Sequence, residues 1–565
     1  MKRSAILIAA LQTAYARPAI WAPPGNNGGI TPNSPSISSM DNKERRESRR
    51  YPIACPSPVK SYRVVWALVA TTLLGACAVG PDFKAPPPPV ASSVTEKPLP
   101  PQTQATPIPG GEAQTFVAAT ALDSRWWRAY GSPTLERLVD EALRASPTVA
   151  SAQAALRAAE QEVLAQRGGL FPRVDGSFTA SRQKINGAAQ GFPQAGSFLF
   201  SLYNASVSLS YNFDVFGGVR RGIEAQEAAR DAQQQELEAT YQTLAANVVT
   251  AALLEASLRA QIDATQSLIA SAQHQADLSR QQFELGGASR SDVLSAESNL
   301  ASMQALLPPL EQQLAAARSQ LAVYLGRPPA DYTEAGFELA SLRLPREIPV
   351  MLPSDIVRQR PDIRRAEAQL HQASANIGVA TANMLPQFGL SASTGDSAQK
   401  LRSLFSGGVF SLAGNVTQPL FQGGTLNAKR RAAIALYDQS LAQYRQTVLL
   451  AFKNVSDSLH ALDTDAQTLN AQYRAQQAAA DSLQLIEQRF GLGGANHVEL
   501  LVAQQQYERS RIAYVQALAA RYQDTAALFL ALGGDWRGSH NSYDSHDRHE
   551  GQTADSAQRA QALPQ

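Results

Sequence analysis

Between Tyr203 and Phe213 every second residue is apolar or aromatic (Tyr203, Ala205, Val207, Leu209, Tyr211, Phe213), and those between are small and polar (Asn204, Ser206, Ser208, Ser210, Asn212). Period two is the mark of a β-strand with one oily face and one wet face. The full segment is about Leu202–Asp214, and three more share its pattern. In about Arg173–Gln183, Val174, Phe178 and Ala180 oppose Asp175, Ser177 and Thr179. In about Gln387–Thr394, Phe388, Leu390 and Ala392 oppose Ser391 and Ser393; in about Gly408–Gln418, Phe410, Leu412 and Val416 oppose Ser411, Asn415 and Thr417. About ten such residues can cross a bilayer as a tilted strand. The competing reading is a soluble four-stranded sheet with its oily face under helices. The polar second face argues against a doubly covered sheet. In lipid, four strands leave two open edges, whose unpaired backbone groups cost several kcal/mol each. Four are too few to close, since the smallest common barrels use about eight. The pattern therefore predicts that several copies complete one barrel.

Most of the remaining chain reads as helix. No proline interrupts Arg220 to Leu285, a stretch that as helix would be about 100 Å long. Apolar residues recur at 237, 241, 244, 248, 251, 258 and 262, with a lapse at Glu255. Steps of four and three make a coiled-coil seam. The chain also repeats itself. SPTVASAQAALRAAEQEVLAQRGGLFP (146–172) echoes RPDIRRAEAQLHQASANIGVATANMLP (360–386), with Pro147 matching Pro361 and Pro172 matching Pro386. FELGGASRSDVLSAE (283–297) echoes FGLGGANHVELLVAQ (490–504) at an offset of 207, which also carries YLGRP (324–328) onto ALGGD (531–535). Ordered matches of this kind mean a duplicated unit. We place the first repeat at 123–345 and the second at 346–536, with a polar tail at 537–565. In each repeat a helix is followed by two strands, a Gly-Gly, a very long helix, a Gly-Gly tip and a returning helix.

The formal net charge is +2, which gives no reason to expect nucleic acid. Two cysteines, Cys55 and Cys77, cannot make a disulfide framework. VVWALVATTLLGAC (64–77) is too short to span a membrane but fits the apolar region of a secretory signal, with Lys60 and Arg63 before it. LLGAC resembles a bacterial lipobox, in which the cysteine thiol takes a lipid and becomes the mature N-terminus. Residues 1–76 are thus expected to be an extension plus signal peptide, with Met40 as a possible later start, and Cys77 the lipidation site. Ala78 and Val79 follow it, without the aspartate that retains lipoproteins in the inner membrane. The proline-rich stretch within 77–122 reads as an extended acylated tether.

DSRWWRAYGSPTLERLVDEAL (123–143), LPSDIVRQRPDIRRAEAQLHQASANIGVA (352–380), FDVFGG (213–218), PLFQGG (419–424), RFGLGG (489–494) and LALGGDW (530–536) resemble the TolC-like outer membrane efflux proteins. Their closest likeness is to the OprM/NodT-like lipoproteins that serve RND pumps. The resemblance implies a mainly α fold with a membrane β-barrel: three chains of four transmembrane strands form one 12-stranded barrel above an α-barrel of long coiled-coil helices. It implies a homotrimer in the outer membrane, lipid-anchored, that docks a periplasmic adaptor and an inner-membrane RND pump. It assigns adaptor docking to the tips Leu285, Gly286, Gly287, Ala288, Ser289 and Leu492, Gly493, Gly494, Ala495, Asn496. Asp481, nine residues before Phe490, matches an acidic position that narrows the periplasmic end. Carboxylates of neighbouring copies would there repel and carry raised pKa values. Glu487 and Arg489 are further gate candidates.

No catalytic constellation, phosphate loop or zinc spacing is present, so an enzyme is not expected. Three of seven histidines lie in SHNSYDSHDRHEG (539–551), better read as a polar tail than a metal site. No cofactor is expected beyond the lipid at Cys77. The leading expectation is a passive exit duct for drugs or other small toxic compounds, and hence antibiotic resistance. The alternatives are the conduit of a type I protein secretion system and a surface stalk.

Overall fold

The computed structural model describes residues 78–87, 93–96, 98–119, 123–186, 196–333 and 338–533. The signal segment, Cys77 and the tail at 537–565 lie outside these residues. In chain order the elements are β1 (Thr115–Ala118), α1 (Pro133–Ala145), α2 (Pro147–Arg167), β2 (Arg173–Asn186), β3 (Ser197–Phe213), α3 (Gly218–Glu284), α4 (Arg290–Gln304) and α5 (Leu307–Tyr324). The second half supplies β4 (Glu347–Val350), α6 (Pro353–Gln359), α7 (Pro361–Ala382), β5 (Gln387–Ala398), β6 (Val409–Thr417), α8 (Thr425–Gly491) and α9 (His497–Leu532). The fold is mainly helical, and no described helix is long and apolar enough to cross a membrane.

The duplication is visible element by element. Both α2 and α7 start on a proline, where the missing N–H would have had no helical partner anyway. Both α3 and α8 run for 67 residues, about 100 Å at 1.5 Å per residue. The return strokes differ. A single returning helix was expected in each half, and α9 is one, at 36 residues. In the first half the return breaks into α4 and α5 at Ala305–Leu306. Pro308 and Pro309 cannot donate to the preceding turn, so the ladder stops there.

The four alternating segments form one antiparallel sheet in the order β2-β3-β5-β6. Register places Val174, Leu209, Ala392 and Leu412 in one cross-strand row, and Asp175, Ser208, Ser393 and Ser411 in the next. The apolar residues therefore share a face, as the alternation demands. On the other face the hydroxyls of Ser177 and Ser206, and of Ser393 and Ser411, pair at 2.8 Å. Phe178, Phe410, Leu412 and Val416 are exposed, so no helix among the described residues covers the oily face at these positions. β2, β3 and β5 exceed the alternating stretches. The backbone ladder continues through pairs such as Lys184 with Leu199, where side-chain pattern no longer matters. β2 and β6 are the outer strands, each with one free edge among the described residues.

The hydrophobic centre lies in the helical part. Trp126, Trp127 and Tyr130 precede α1 and pack among buried residues of α3, α8 and α9. Trp126 stacks on Phe529 at 5.3 Å. The Tyr130 hydroxyl donates to the Tyr522 carbonyl at 2.8 Å, and the Tyr522 hydroxyl to that of Leu342 at 3.1 Å. β1 pairs in parallel with β4, Thr115 beside Glu347. Along α3 the seam residues Leu237, Tyr241, Leu244, Val248, Leu258 and Ile262 are buried. The lapse at Glu255 is no gap: its buried carboxylate accepts from Arg259 at 2.7 Å, Arg318 of α5 at 3.0 Å and the Tyr332 hydroxyl at 3.1 Å. Three donors offset the desolvation of that charge.

The stretch read as an extended tether packs against the helices at its start. Val79 N–H donates to the Phe216 carbonyl at 3.1 Å. Arg221 of α3 is 5% exposed and donates to the Val79 carbonyl at 3.2 Å and to Asp82 at 2.7 Å. Gly80 lies so close to Gly378 of α7 that a Cβ on it would meet the Gly378 Cα at 2.5 Å. Phe83 stacks on His371 at 4.4 Å. An extended chain makes no internal hydrogen bonds, so its carbonyls are free for such a clasp.

Candidate functional site: the helix tips

The two tips occupy the sequence-expected positions. Residues 285–289 join α3 to α4 and residues 492–496 join α8 to α9. Gly286 (φ 78°) and Gly493 (φ 75°) sit in the left-handed region that side chains disfavour. Gly287 and Gly494 then donate to the carbonyls of Gln282 and Arg489, both at 2.8 Å, closing each helix end as in a Schellman-type cap. The second glycine of each pair needs no such freedom: it is outside the left-handed region, and an added Cβ would meet nothing nearer than 3.6 Å or 3.5 Å. Leu285 and Leu492 are 87% and 89% exposed. Ala288 and Ala495 are half-buried, and Ser289 and Asn496 cap the return helices by accepting from the Asp292 and Glu499 N–H groups.

Asp481 and Glu487 are both exposed on α8, Asp481 about 15 Å from the helix end at 1.5 Å per residue. Neither makes an ion pair among the described residues. The third gate candidate, Arg489, is committed elsewhere: its guanidinium donates to the Gly494 carbonyl at 2.8 Å and braces the tip.

His497 was not foreseen. It opens α9 and is buried, with Nδ1 3.3 Å from the Gln275 side-chain amide of α3. The Phe490 ring centre is 6.0 Å away. Nε2 is buried with no hydrogen-bond partner among the described residues. The first repeat has Arg290 at the matching position, and that contrast between repeats was the available signal. Burial pulls the imidazole below the usual histidine range, partly opposed by Asp292. The packed state therefore prefers neutral His497. Its contribution is intact above the free histidine value of about 6.5 and is lost as pH falls through and below it. Spin labels on the two tips are expected to separate further at about pH 5.5 than at about pH 7.5. His497→Gln, which keeps a hydrogen-bonding side chain without the titration, is expected to remove the difference.

Two long helices per chain, two glycine tips and a sheet with an uncovered oily face describe a conduit wall. The family model for outer membrane efflux protein matches residues 138–327 and 352–534, one stretch in each half of the duplication. The chain belongs to the outer membrane efflux protein family. It is 30% identical over 444 residues to the pyoverdine export outer membrane protein OpmQ of Pseudomonas putida, covering 78% of this chain and 94% of that protein. It is 29% identical over 472 residues to the antibiotic efflux pump outer membrane protein ArpC of Pseudomonas putida, covering 83% and 94%. Among solved structures, the outer-membrane channel OprN superposes with a TM-score of 0.71 at 26% identity, over 81% of this chain and 100% of that one. As an outer membrane efflux protein the chain is a transport channel and not an enzyme, and it resides in the outer membrane with a long periplasmic extension.

Proposed function

We propose that this chain is the exit duct of a tripartite RND-type efflux system and passes small toxic compounds from the periplasm to the outside. The observation that carries this reading is the join of two 67-residue helices to a four-stranded sheet with exposed Phe178, Phe410, Leu412 and Val416. Lipid is the solvent that suits such a face. Three copies would supply twelve strands and close the barrel. Because the four strands are antiparallel, the outer strands β2 and β6 run in opposite directions, so identical copies can join head to tail.

Cys77 would carry the lipid. Its neighbour Ala78 lies against Gly217, at the step from β3 into α3, which would set acyl chains at the foot of the sheet. The tips would receive a periplasmic adaptor. Gly287 and Gly494 have room for a side chain within the chain, so a close-packed partner is a physical reason for glycine there. Exposed Asp481 and Glu487 would meet their copies near the axis and narrow the periplasmic end. The alternative, a type I protein secretion conduit, shares this geometry; the export and efflux names of the relatives favour the pump-linked reading.

A deletion strain tests the proposal. Its susceptibility to a panel of antibiotics and solvents is expected to rise and to return to normal with the wild-type gene. Cys77→Ser is expected to restore most of it, because the barrel also holds the protein. Unchanged susceptibility with loss of a secreted protein would transfer the duct to protein secretion.

A further inference from the structure

The oily face of the sheet has a definite height, and its far limit is marked by charge. On β3 the apolar residues of this face run from Phe213, beside the start of α3, to Tyr203. The ten residue steps between them cover about 33 Å along the strand. At a tilt of about 40° that is about 25 Å upright, the height of the apolar band of an outer-membrane barrel. Aromatic rings stand at both limits: Tyr211 against Phe213 at 4.8 Å near the helices, and Tyr203 at the far end. The ladder continues past Tyr203. On the same face the next pair is Arg182 with Ser201, and the one after it Lys184 with Leu199. β5 ends at Ala398, opposite Tyr203, and its register continued by two residues sets Lys400 level with Arg182. Arg402 follows in the turn Leu401–Ser403.

All four cations are exposed, and none is in an ion pair among the described residues. The sequence around them supplies almost no opposite charge. No acid lies between Asp175 and Asp214, and Asp396 is the one acid from Gln387 to Thr417. Asp396 shares the oily face, since it pairs with Ala205. It is nevertheless 7% exposed, and its carboxylate accepts from the Ser397 N–H at 2.6 Å and the Gly407 N–H at 2.9 Å. Those bonds satisfy the carboxylate internally and draw the chain after the turn back onto this face of the sheet. The same stretch leaves Leu401 and Phe405 exposed, apolar side chains interleaved with Lys400 and Arg402.

We propose that Arg182, Lys184, Lys400 and Arg402 form a seat for the phosphate groups of an outer-leaflet glycolipid of the lipopolysaccharide class. This rests on the duct reading above, which sets the oily face in lipid. The helices join the opposite end of the sheet, so the cations stand at the outer leaflet. The first of them lies one pair past the apolar band, about 5 Å beyond it, which is the level of the headgroups. A surface that merely meets water mixes both signs of charge; here one sign occupies one level of one face. β2 and β5 are two strand spacings apart, about 10 Å, so the patch is broad enough for two phosphates of one headgroup. Leu199, Leu401 and Phe405 add apolar surface beside it. Lys and Arg stems can lie along acyl chains there while their charged ends reach the phosphates.

Titration of the full chain in mild detergent with deep-rough lipopolysaccharide, read by native mass spectrometry, tests the seat. Each cation neutralised is expected to weaken the complex about fivefold. Lys400→Gln/Arg402→Gln, which lies beyond the strand ladder and spares it, should therefore bind about 25-fold more weakly than wild type. Arg182→Gln/Lys184→Gln should lose a similar factor, and Arg182→Lys/Arg402→Lys should lose little. Stripping the phosphates from the glycolipid, or raising salt from about 0.05 M to about 0.5 M, should shrink the gap between wild type and the glutamine variants. Inorganic phosphate should not displace the glycolipid, because it lacks the acyl chains that hold the headgroup at this level. Glutamine variants that bind as wild type does, while keeping the wild-type oligomer and outer-membrane level, would overturn the seat and leave the duct reading standing. Displacement by inorganic phosphate would do the same. A wild-type chain that fails to float with lipid vesicles on a density gradient would remove the lipid-facing sheet and the seat with it.

Discussion

Trp127→Ala is expected to remove most of this protein from the outer membrane. Trp127 is 1% exposed and meets Trp126 edge-on at 5.9 Å. The cluster around it joins the start of the first repeat to α8 and α9 of the second, through Leu459, Leu462, Tyr522 and Phe529. Truncating a buried tryptophan loses transfer energy and leaves a cavity, about 3–5 kcal/mol together. That is a large part of the net stability of an ordinary domain, about 5–15 kcal/mol. Immunoblots of outer-membrane fractions should show strongly reduced chain and loss of heat-sensitive oligomer. Trp127→Phe, which keeps the ring and most of the volume, should retain much of both. If Trp127→Ala instead accumulates normally, the cluster is not what joins the repeats.

Asp465→Asn is expected to act in the opposite direction and stabilise the chain above neutral pH. Asp465 of α8 lies against Asp524 of α9, and burial together with that second carboxyl pushes its pKa up to about 7. Arg521 nearby opposes the shift. Oδ2 of Asp465 is buried and accepts from no hydrogen-bond donor among the described residues. A proton held between the two carboxyls gives the pair what the surrounding groups do not. The folded chain therefore binds this proton more tightly than the unfolded chain does. Stability is greatest at or below the ordinary carboxylate value near 4, falls as pH rises from there towards about 7, and then levels off. Asparagine supplies an N–H in place of the proton. The variant should melt a few degrees higher than wild type at about pH 8 and no higher at about pH 5. Equal melting shifts at both values would mean that the pair is not the source.

The parts of this molecule that could be read from sequence are those where a local period answers a local demand. Tyr203 to Phe213 alternates because each successive side chain faces the other way, and Gly286 and Gly493 mark tips because the turn needs their φ. Long-range agreements were hidden. Arg221 looks like one more charged helix residue until Val79 and Asp82 arrive from about 140 positions away. Glu255 looks like a flaw in the seam because its donors Arg318 and Tyr332 lie 63 and 77 residues on. Arg489 was weighed for the gate because a helix face cannot be oriented from sequence alone, and the structure turns it to its own tip. His497 was passed over because burial between two hairpins has no signature within either one.

The break at Ala305–Leu306 gives the two hairpins unlike mechanics. One return arm has a joint roughly halfway along, and the other is a single unbroken rod. In a cylinder built from several chains, jointed and unjointed staves would alternate around the circumference. A load applied at the far rim would then flex every other stave first, and the rim would widen as a lobed outline rather than as a circle.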